Sequence, residues 1–215
     1  MLIHDRFVFI HLQKTAGTFL ADALRREMPP GSLVRGAPGL LHPGWDDIPE
    51  EARDRPVLAY VRNPWDWYVS WYHFIMSQAS GSIVYRVLLG NGHNDFATSI
   101  RNACAGLVEA GRPETLNFIG RGDDYYTTRV REFYGAGIDS ELLTIGRYES
   151  LVDDLARFLE NVGAPLNADA IARIKVGKPL KVTEHPPYRE CYDDELRDLV
   201  GASCRMLIER FDYDF

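Results

Sequence analysis

Residues 7–20 read FVFIHLQKTAGTFL: mostly apolar positions running into a small-residue turn that carries one lysine and two threonines, then apolar again. The first half, "RFVFIHL", is short, aromatic, β-branched and nearly continuous rather than alternating, the pattern of a strand buried on both faces. From Thr18 to about Met28, "TFLADALRREM" repeats its apolar residues at helical spacing until "PPG" stops it. A turn between a buried strand and a helix directs backbone N–H groups and the positive end of the helix dipole at one spot. Gly17 permits close approach of the backbone to a ligand, Lys14 adds a mobile positive charge, and Thr15 and Thr18 add hydroxyl donors. That is the composition of a phosphate cradle, with Lys14, Thr15, Ala16, Gly17, Thr18 and Phe19 as its positions. It is not the Walker arrangement, where lysine follows a second glycine; here lysine precedes the only glycine. The turn alone leaves two readings open, an anion cradle and a plain connection with a surface lysine.

Moving outward, "VLAYV" (57–61) is a second buried strand, and "NPWDWYVSWYHFIMSQ" after it is a helix with proline in its favoured first turn. "ELLTIGRYESL" (141–151) suggests a third strand, and "SLVDDLARFLENVG" a helix closing on glycine. The tail "YDDELRDLVGASCRMLIERFDYDF" reads as one last amphipathic helix and a short aromatic end. Strand and helix in alternation predict an α/β fold, a parallel β-sheet flanked by helices with a P-loop-like strand-loop-helix and ligands at the carboxyl ends of the strands. Residues 76–139 are less regular and read as helices and loops inserted over the sheet, a place suited to acceptor recognition. No repeat, low-complexity tract or linker interrupts the chain, so a single domain over 1–215 is expected.

The 215 residues are 46% hydrophobic and 26% charged, an ordinary globular balance with enough chain to bury a core without staples. A formal charge of -7 disfavours nucleic acid and anionic membranes as partners, although a local cluster of donors still suits a small anion. Cys104, Cys191 and Cys204 show no metal-ligand spacing, and an odd number argues against a disulfide framework, so free thiols in a reducing compartment and no metal are expected. The N-terminus shows no basic region followed by a long apolar stretch, and no apolar run is long enough to span a bilayer. The expectation is therefore a cytoplasmic protein without signal peptide or stable membrane anchor.

"YVRNPWDWYVSWY" puts Arg62 at the carboxyl end of the second strand and Ser70 two helical turns later. Arginine suits a bidentate grip on phosphate, and serine supplies a further donor. The bland alternatives are a strand-end salt bridge for Arg62 and a solvent-facing helix position for Ser70. Two phosphate-type sites on neighbouring strand ends imply a ligand with two separated anionic groups.

Together these stretches resemble the sulfotransferases that use 3'-phosphoadenosine 5'-phosphosulfate (PAPS), with adenosine 3',5'-bisphosphate (PAP) as product. In that family a strand-loop-helix of the "HLQKTAGT" kind binds the 5'-phosphosulfate, and an "R-[ND]-P" strand end with a serine eight residues on binds the 3'-phosphate. The resemblance maps Lys14, Thr15, Gly17 and Thr18 onto the first, Arg62 and Ser70 onto the second. "IHLQKTAGT" is most similar to carbohydrate sulfotransferases of the heparan sulfate 6-O type. "IGRYESLVDDLARFLENVGAP" resembles the family's "R-Y-E-x-L" strand and helix, and "YRECYDDELRDLV…FDYDF" its usual ending. The resemblance covers roughly residues 5–75 and 140–215. It implies sulfuryl transfer to an acceptor hydroxyl, with an amine as second choice, and an acceptor that is a small molecule, a lipid or a glycan. Two rivals share the fold. A P-loop-like kinase would want lysine after a glycine and an aspartate at a strand end for magnesium; a non-catalytic nucleotide-binding protein would lack a working base.

Histidine suits the base, because the acceptor hydroxyl must lose a proton as sulfur is attacked. The departing 5'-phosphate oxygen gains charge that Lys14 can offset. Of six histidines, His11 lies within the first strand and reads as a satisfied core residue, His73 and His93 read as structural or solvated, His185 stands in an "HPPY" segment near the cofactor-binding end, and His4 is near the terminus. His42 stands in "GLLHPGWDDIPEE" between the two cofactor segments and resembles the "H-x-x-W" stretch carrying the catalytic histidine of the 6-O enzymes. Its alternative is a loop histidine beside a packed Trp45. The carboxylates Asp46, Asp47, Glu50 and Glu51 compete for the role, reading otherwise as solvated charges. A late segment, "KVGKPLKVTEHPPYRECY" (175–192), is locally basic, and its Lys181 and Thr183, with Lys178, are candidates to reach the nucleotide. Trp65, Trp67, Trp71 and Tyr72 lie at helical spacing and read mainly as core, with one face left to stack an acceptor ring.

Overall fold

The structure is a computed structural model that describes residues 1–37, 39, 40, 42–78, 82–105, 123–178 and 183–215. Its strands are β1 (Leu2–His4), β2 (Phe7–Phe9), β3 (Leu33–Arg35), β4 (Val57–Val61) and β5 (Leu143–Arg147). Its helices are α1 (Gly17–Glu27), α2 (Pro64–Gln78), α3 (Ile83–Val87), α4 (Phe96–Cys104), α5 (Tyr125–Tyr134), α6 (Leu151–Asn161), α7 (Ala168–Lys175), α8 (Asp194–Ser203) and α9 (Arg205–Phe211). The chain divides into two compact units, Met1–Arg62 with Val130–Val182, and Asn63–Arg129 with Thr183–Phe215.

The first unit holds the sheet, in the order β3-β1-β2-β4-β5. β2, β4 and β5 run parallel, with Val8 opposite Val57 and Val61 opposite Arg147, as the alternation of strand and helix predicts. β1 adds antiparallel to β2, and β3 antiparallel to β1, so the sheet is mixed. His4, Asp5 and Arg6, which interrupt the apolar run in sequence, turn the chain from β1 into β2, and the Arg6 N–H donates to His4 Nδ1 at 3.2 Å. Every residue of β2 and β4 is fully buried, which is why these strands read as continuous apolar runs. On one side of the sheet, Phe7, Phe9, Leu58 and Tyr60 join Leu20 and Leu24 of α1, Leu155, Phe158 and Leu159 of α6 and Ile174 of α7 in a single core. The turn from β5 into α6 is closed by Asp154, whose Oδ2 accepts from the Arg147 N–H at 2.8 Å and the Ser150 hydroxyl at 2.7 Å.

The second unit is helical among its described residues and built around aromatic side chains. Trp67 and Trp71 are buried on α2, and Trp67 stacks on Tyr126 at 4.1 Å. Trp65, Trp67 and Trp71 are buried and used in packing, whereas Tyr72 is half-buried. Asn63 starts the helix: its Oδ1 accepts from the Trp65 N–H and its Nδ2 donates to the Asp214 carbonyl. Asp124 starts α5 by accepting from the Tyr126 and Thr127 N–H groups and also takes the Tyr68 hydroxyl at 2.7 Å. The predicted last helix is two, α8 and α9. The break falls at Cys204, where ψ reaches 18° and the buried thiol reaches Asp124 Oδ1 at 3.3 Å. All three cysteines are free. Among the described residues no helix is long and apolar enough to cross a membrane, and no group of three or more His, Cys, Asp or Glu could hold a metal ion.

Candidate active site

Beyond β2 the chain stays buried through Ile10 and Leu12, and the Ile10 N–H still bonds the Leu58 carbonyl at 3.0 Å. It then turns sharply. Lys14 (φ 66°) and Ala16 (φ 59°) both take the left-handed conformation, which non-glycine residues avoid at a cost of about 1–2 kcal/mol each. Such a turn swings successive N–H groups toward one side. It is held by Thr15, fully buried, whose hydroxyl donates to the Leu12 carbonyl at 2.8 Å. The loop opens into α1 with Ala16 as N-cap, without a side-chain cap and without an acidic residue in the first turn. The first-turn N–H groups of such a helix lack intrahelical partners and suit an anion.

Several expected roles change here. The Thr15 hydroxyl is spent inside the loop, so Thr15 can meet a ligand only through its backbone. Phe19 is 7% exposed and packed in the core, so its share of a ligand contact is likewise the backbone. Gly17 is not a left-handed residue; it is glycine because a Cβ there would overlap the His11 ring. Packing against His11 is by itself enough to require the absent side chain. Thr18 is exposed on the first turn of α1 and keeps its hydroxyl available to solvent.

Arg62 follows β4 and is buried, 8% exposed. Its Nη1 donates to the Lys14 carbonyl at 3.2 Å, and its guanidinium lies 4.2 Å from the centroid of the Tyr148 ring. Arg62 is thus tied to the backbone of the loop and to the Tyr148 ring. The carboxyl ends of β2, β4 and β5 thus present the Lys14 loop, Arg62 and Tyr148 on adjacent parallel strands, where ligands bind in sheets of this type. Burial first, and the Arg62 charge second, push the Lys14 amine down from 10.5 to about 8. Two cations are held together in a partly desolvated place. An anionic ligand would relieve that arrangement, because it stabilises both charges at once.

His42 sits in the first unit against His11, with ring centroids 5.7 Å apart and planes at 88°, and against Phe133 at 6.3 Å. Its loop is anchored on both sides. The Gly44 N–H donates to Asp47 Oδ2 at 2.9 Å, a Cβ on Gly44 would press on the Phe133 carbonyl, and Trp45 lies against Gly137. Asp46, Asp47, Glu50 and Glu51 are exposed, and Glu50 pairs with Arg53 at 3.4 Å, so the carboxylates behave as solvated charges and turn supports. His11 departs from its reading as a simple core residue. It is only half-buried, stacks on Phe9 at 6.0 Å, and is pushed down to about 3, chiefly by burial, with the N-terminus, His42 and Arg25 adding to the effect.

The first unit therefore brings together Lys14, Thr15, Ala16, Gly17, Thr18 and Arg62, and adds Tyr148. Ser70 belongs to the second unit, buried on α2 at 5% exposure. Thr183 is half-buried there. Lys181 lies outside the described residues, and Lys178 is exposed. Of the remaining histidines, His73 and His185 stack on each other at 5.5 Å, His4 stacks on Phe7 at 4.8 Å, and His93 is exposed. Tyr148 stood in the quoted "RYESL" stretch, but only the β4–β5 register reveals it as the platform under Arg62.

The fold and this loop define a mixed α/β protein whose parallel strands end on a phosphate-type strand-loop-helix. The mouse sulfotransferase SULT7A1, solved in complex with PAP, has this fold: it matches with a TM-score of 0.59 and 13% identity, over 98% of this chain and 91% of that one. Retinol dehydratase, solved with androsterone and inactive cofactor PAP, matches at a TM-score of 0.46 and 14% identity, over 81% of this chain and 53% of that one. At such identities the likeness to SULT7A1 establishes a common fold. No protein-family model matches the sequence, and neither does any characterised protein.

Proposed function

We propose that the protein is a PAPS-dependent sulfotransferase that moves a sulfuryl group to an acceptor hydroxyl. One observation carries the reading: Arg62, buried on Tyr148, is bonded to the carbonyl of Lys14 in a loop that opens into an uncapped helix. Cationic and N–H donors gathered in this way suit a nucleotide with separated anionic groups. Lys14, Thr18 and the N–H groups of residues 15–19 would hold the 5' side, and Arg62 the 3'-phosphate, with Ser70 joining it by the motif resemblance. β4 is followed directly by Arg62, where a kinase of the P-loop type would carry its magnesium-holding aspartate.

When bound, PAPS supplies an activated sulfuryl group on its 5'-phosphate. His42 is the base in this reading: its imidazole takes the acceptor hydroxyl proton while the acceptor oxygen closes on sulfur. Lys14 offsets the charge that develops on the departing 5'-phosphate oxygen, an interaction stronger in the transition state than in the ground state. No step calls for a metal. The motif likeness to carbohydrate sulfotransferases of the 6-O type supports His42, and a small hydroxylated molecule, a lipid headgroup or a neutral glycan fits as acceptor.

PAP should raise the melting temperature of the protein well above the shift produced by ATP at equal concentration. Equal shifts would overturn the nucleotide assignment. With an acceptor found by labelled transfer from PAPS, His42→Ala should lower kcat by about 10²–10⁴ while the PAP-induced shift persists; near-normal turnover would move the base elsewhere.

A further inference from the structure

His11 stands between fully buried Ile10 and Leu12 in the run that leads into the loop, yet its ring is only half-buried and touches two other parts of the proposed site. Its Cβ and ring occupy the space that a side chain on Gly17 would need, so the first turn of α1 is packed directly on it. Its ring also meets His42 edge-on, at 5.7 Å and 88°, while Phe133 meets His42 from another side at 6.3 Å and 60°. Phe9 backs His11 in turn at 6.0 Å and 29°. An imidazole held between two aromatic rings loses rotational freedom that a loop side chain would otherwise keep. We infer that His11 is a positioning residue, a wall shared by the anion-receiving turn of α1 and the imidazole of His42, which sets the orientation of His42 relative to that turn. The inference rests on the reading of His42 as base and deepens it.

The chemistry of a histidine at this place is consistent with that role. Burial keeps His11 neutral through the physiological range, its value being pushed down to about 3. It therefore brings no second positive charge to His42. Support comes from ring contact, so another flat ring should replace it and an aliphatic side chain should not.

The test follows the His42 imidazole by two-dimensional NMR of histidine-labelled full chain, with the resonance assigned through His42→Gln. The pH titration is recorded without ligand for the wild type, His11→Phe and His11→Ala, and PAP-induced melting shifts are measured in parallel. The expected result is a displaced His42 titration midpoint and a changed ring resonance in His11→Ala, with wild-type behaviour restored in His11→Phe and the PAP shift retained in both. His11→Leu, which fills the volume without a ring, replaces His11→Ala should that variant fail to fold. A His42 titration that is the same in wild type and the ring-less variant overturns the inference, whatever PAP does. Failure of PAP to stabilise the wild type overturns the nucleotide reading instead, and the ligand-free titration still decides the role of His11.

Discussion

Lys14 and Arg62 show how much a site depends on what surrounds each charge. Arg62 donates to the backbone of the very loop that carries Lys14, so it is a strut for that loop as well as the proposed donor to the 3'-phosphate. Arg62→Ala should therefore weaken PAP by about 2–4 kcal/mol and also weaken adenosine 5'-phosphate, which has no 3'-phosphate to lose. Calorimetric titration of both nucleotides checks this; an unchanged isotherm for the 5'-monophosphate would confine Arg62 to the 3' side. Lys14 predicts a pH dependence whose sign is fixed. Its amine, pushed down to about 8, is charged below that pH and neutral above it, and an anion binds the charged form. Affinity for PAP should be nearly flat around pH 7, where Lys14 is charged and the phosphates are mostly ionised, and fall as the pH rises through about 8, by up to about tenfold per unit, with net proton uptake on binding above pH 7. Titrations in buffers of different ionisation enthalpy measure that uptake, and Lys14→Arg should abolish it.

At the scale of elements, the junction of β2 and α1 is the place where backbone and packing constrain each other. Two non-glycine residues take left-handed φ there, while the loop's one glycine has an ordinary φ and is small because of His11. Gly17→Ala should consequently cost about 1–3 kcal/mol by overpacking, and less in a His11→Ala background, because the two positions share one space. Chemical denaturation of the two single variants and the double variant tests this; additive losses would show that the contact is not what makes residue 17 a glycine. This junction, β4 and α2 were legible in sequence because their signals are local: continuous apolar runs, a lysine before a glycine, an early proline. Observed bounds of Gly17–Glu27, Val57–Val61 and Pro64–Gln78 lie within a residue of those expected. β3 was not legible, being three residues long with Val34 56% exposed. A pairing edge of that kind leaves no apolar period to read. The split of the tail into α8 and α9 was hidden for another reason, since it depends on where the Cys204 thiol meets Asp124, 80 residues away.

Across the whole molecule the formal charge of -7 is set against a small cationic centre at Lys14 and Arg62. Long polyanions feel the overall field, whereas a nucleotide feels mainly the local one. The protein should elute from immobilised heparin at or below about 0.15 M salt, and a highly sulfated glycan should not raise its melting temperature as PAP does. Tight heparin binding would overturn that view and bring sulfated chains forward as acceptors. By itself the sequence determined the class of fold, the strand-loop-helix, and the positions of Lys14, Arg62 and His42, because each rests on residue types and spacings that act over a turn or a strand. Only the tertiary structure decided what surrounds them: that Thr15 spends its hydroxyl on Leu12, that Tyr148 lies under Arg62, and that His11 stands between Gly17 and His42. Those relations depend on the register of parallel strands and on which rings share a space, and neither is written in any short stretch of residues.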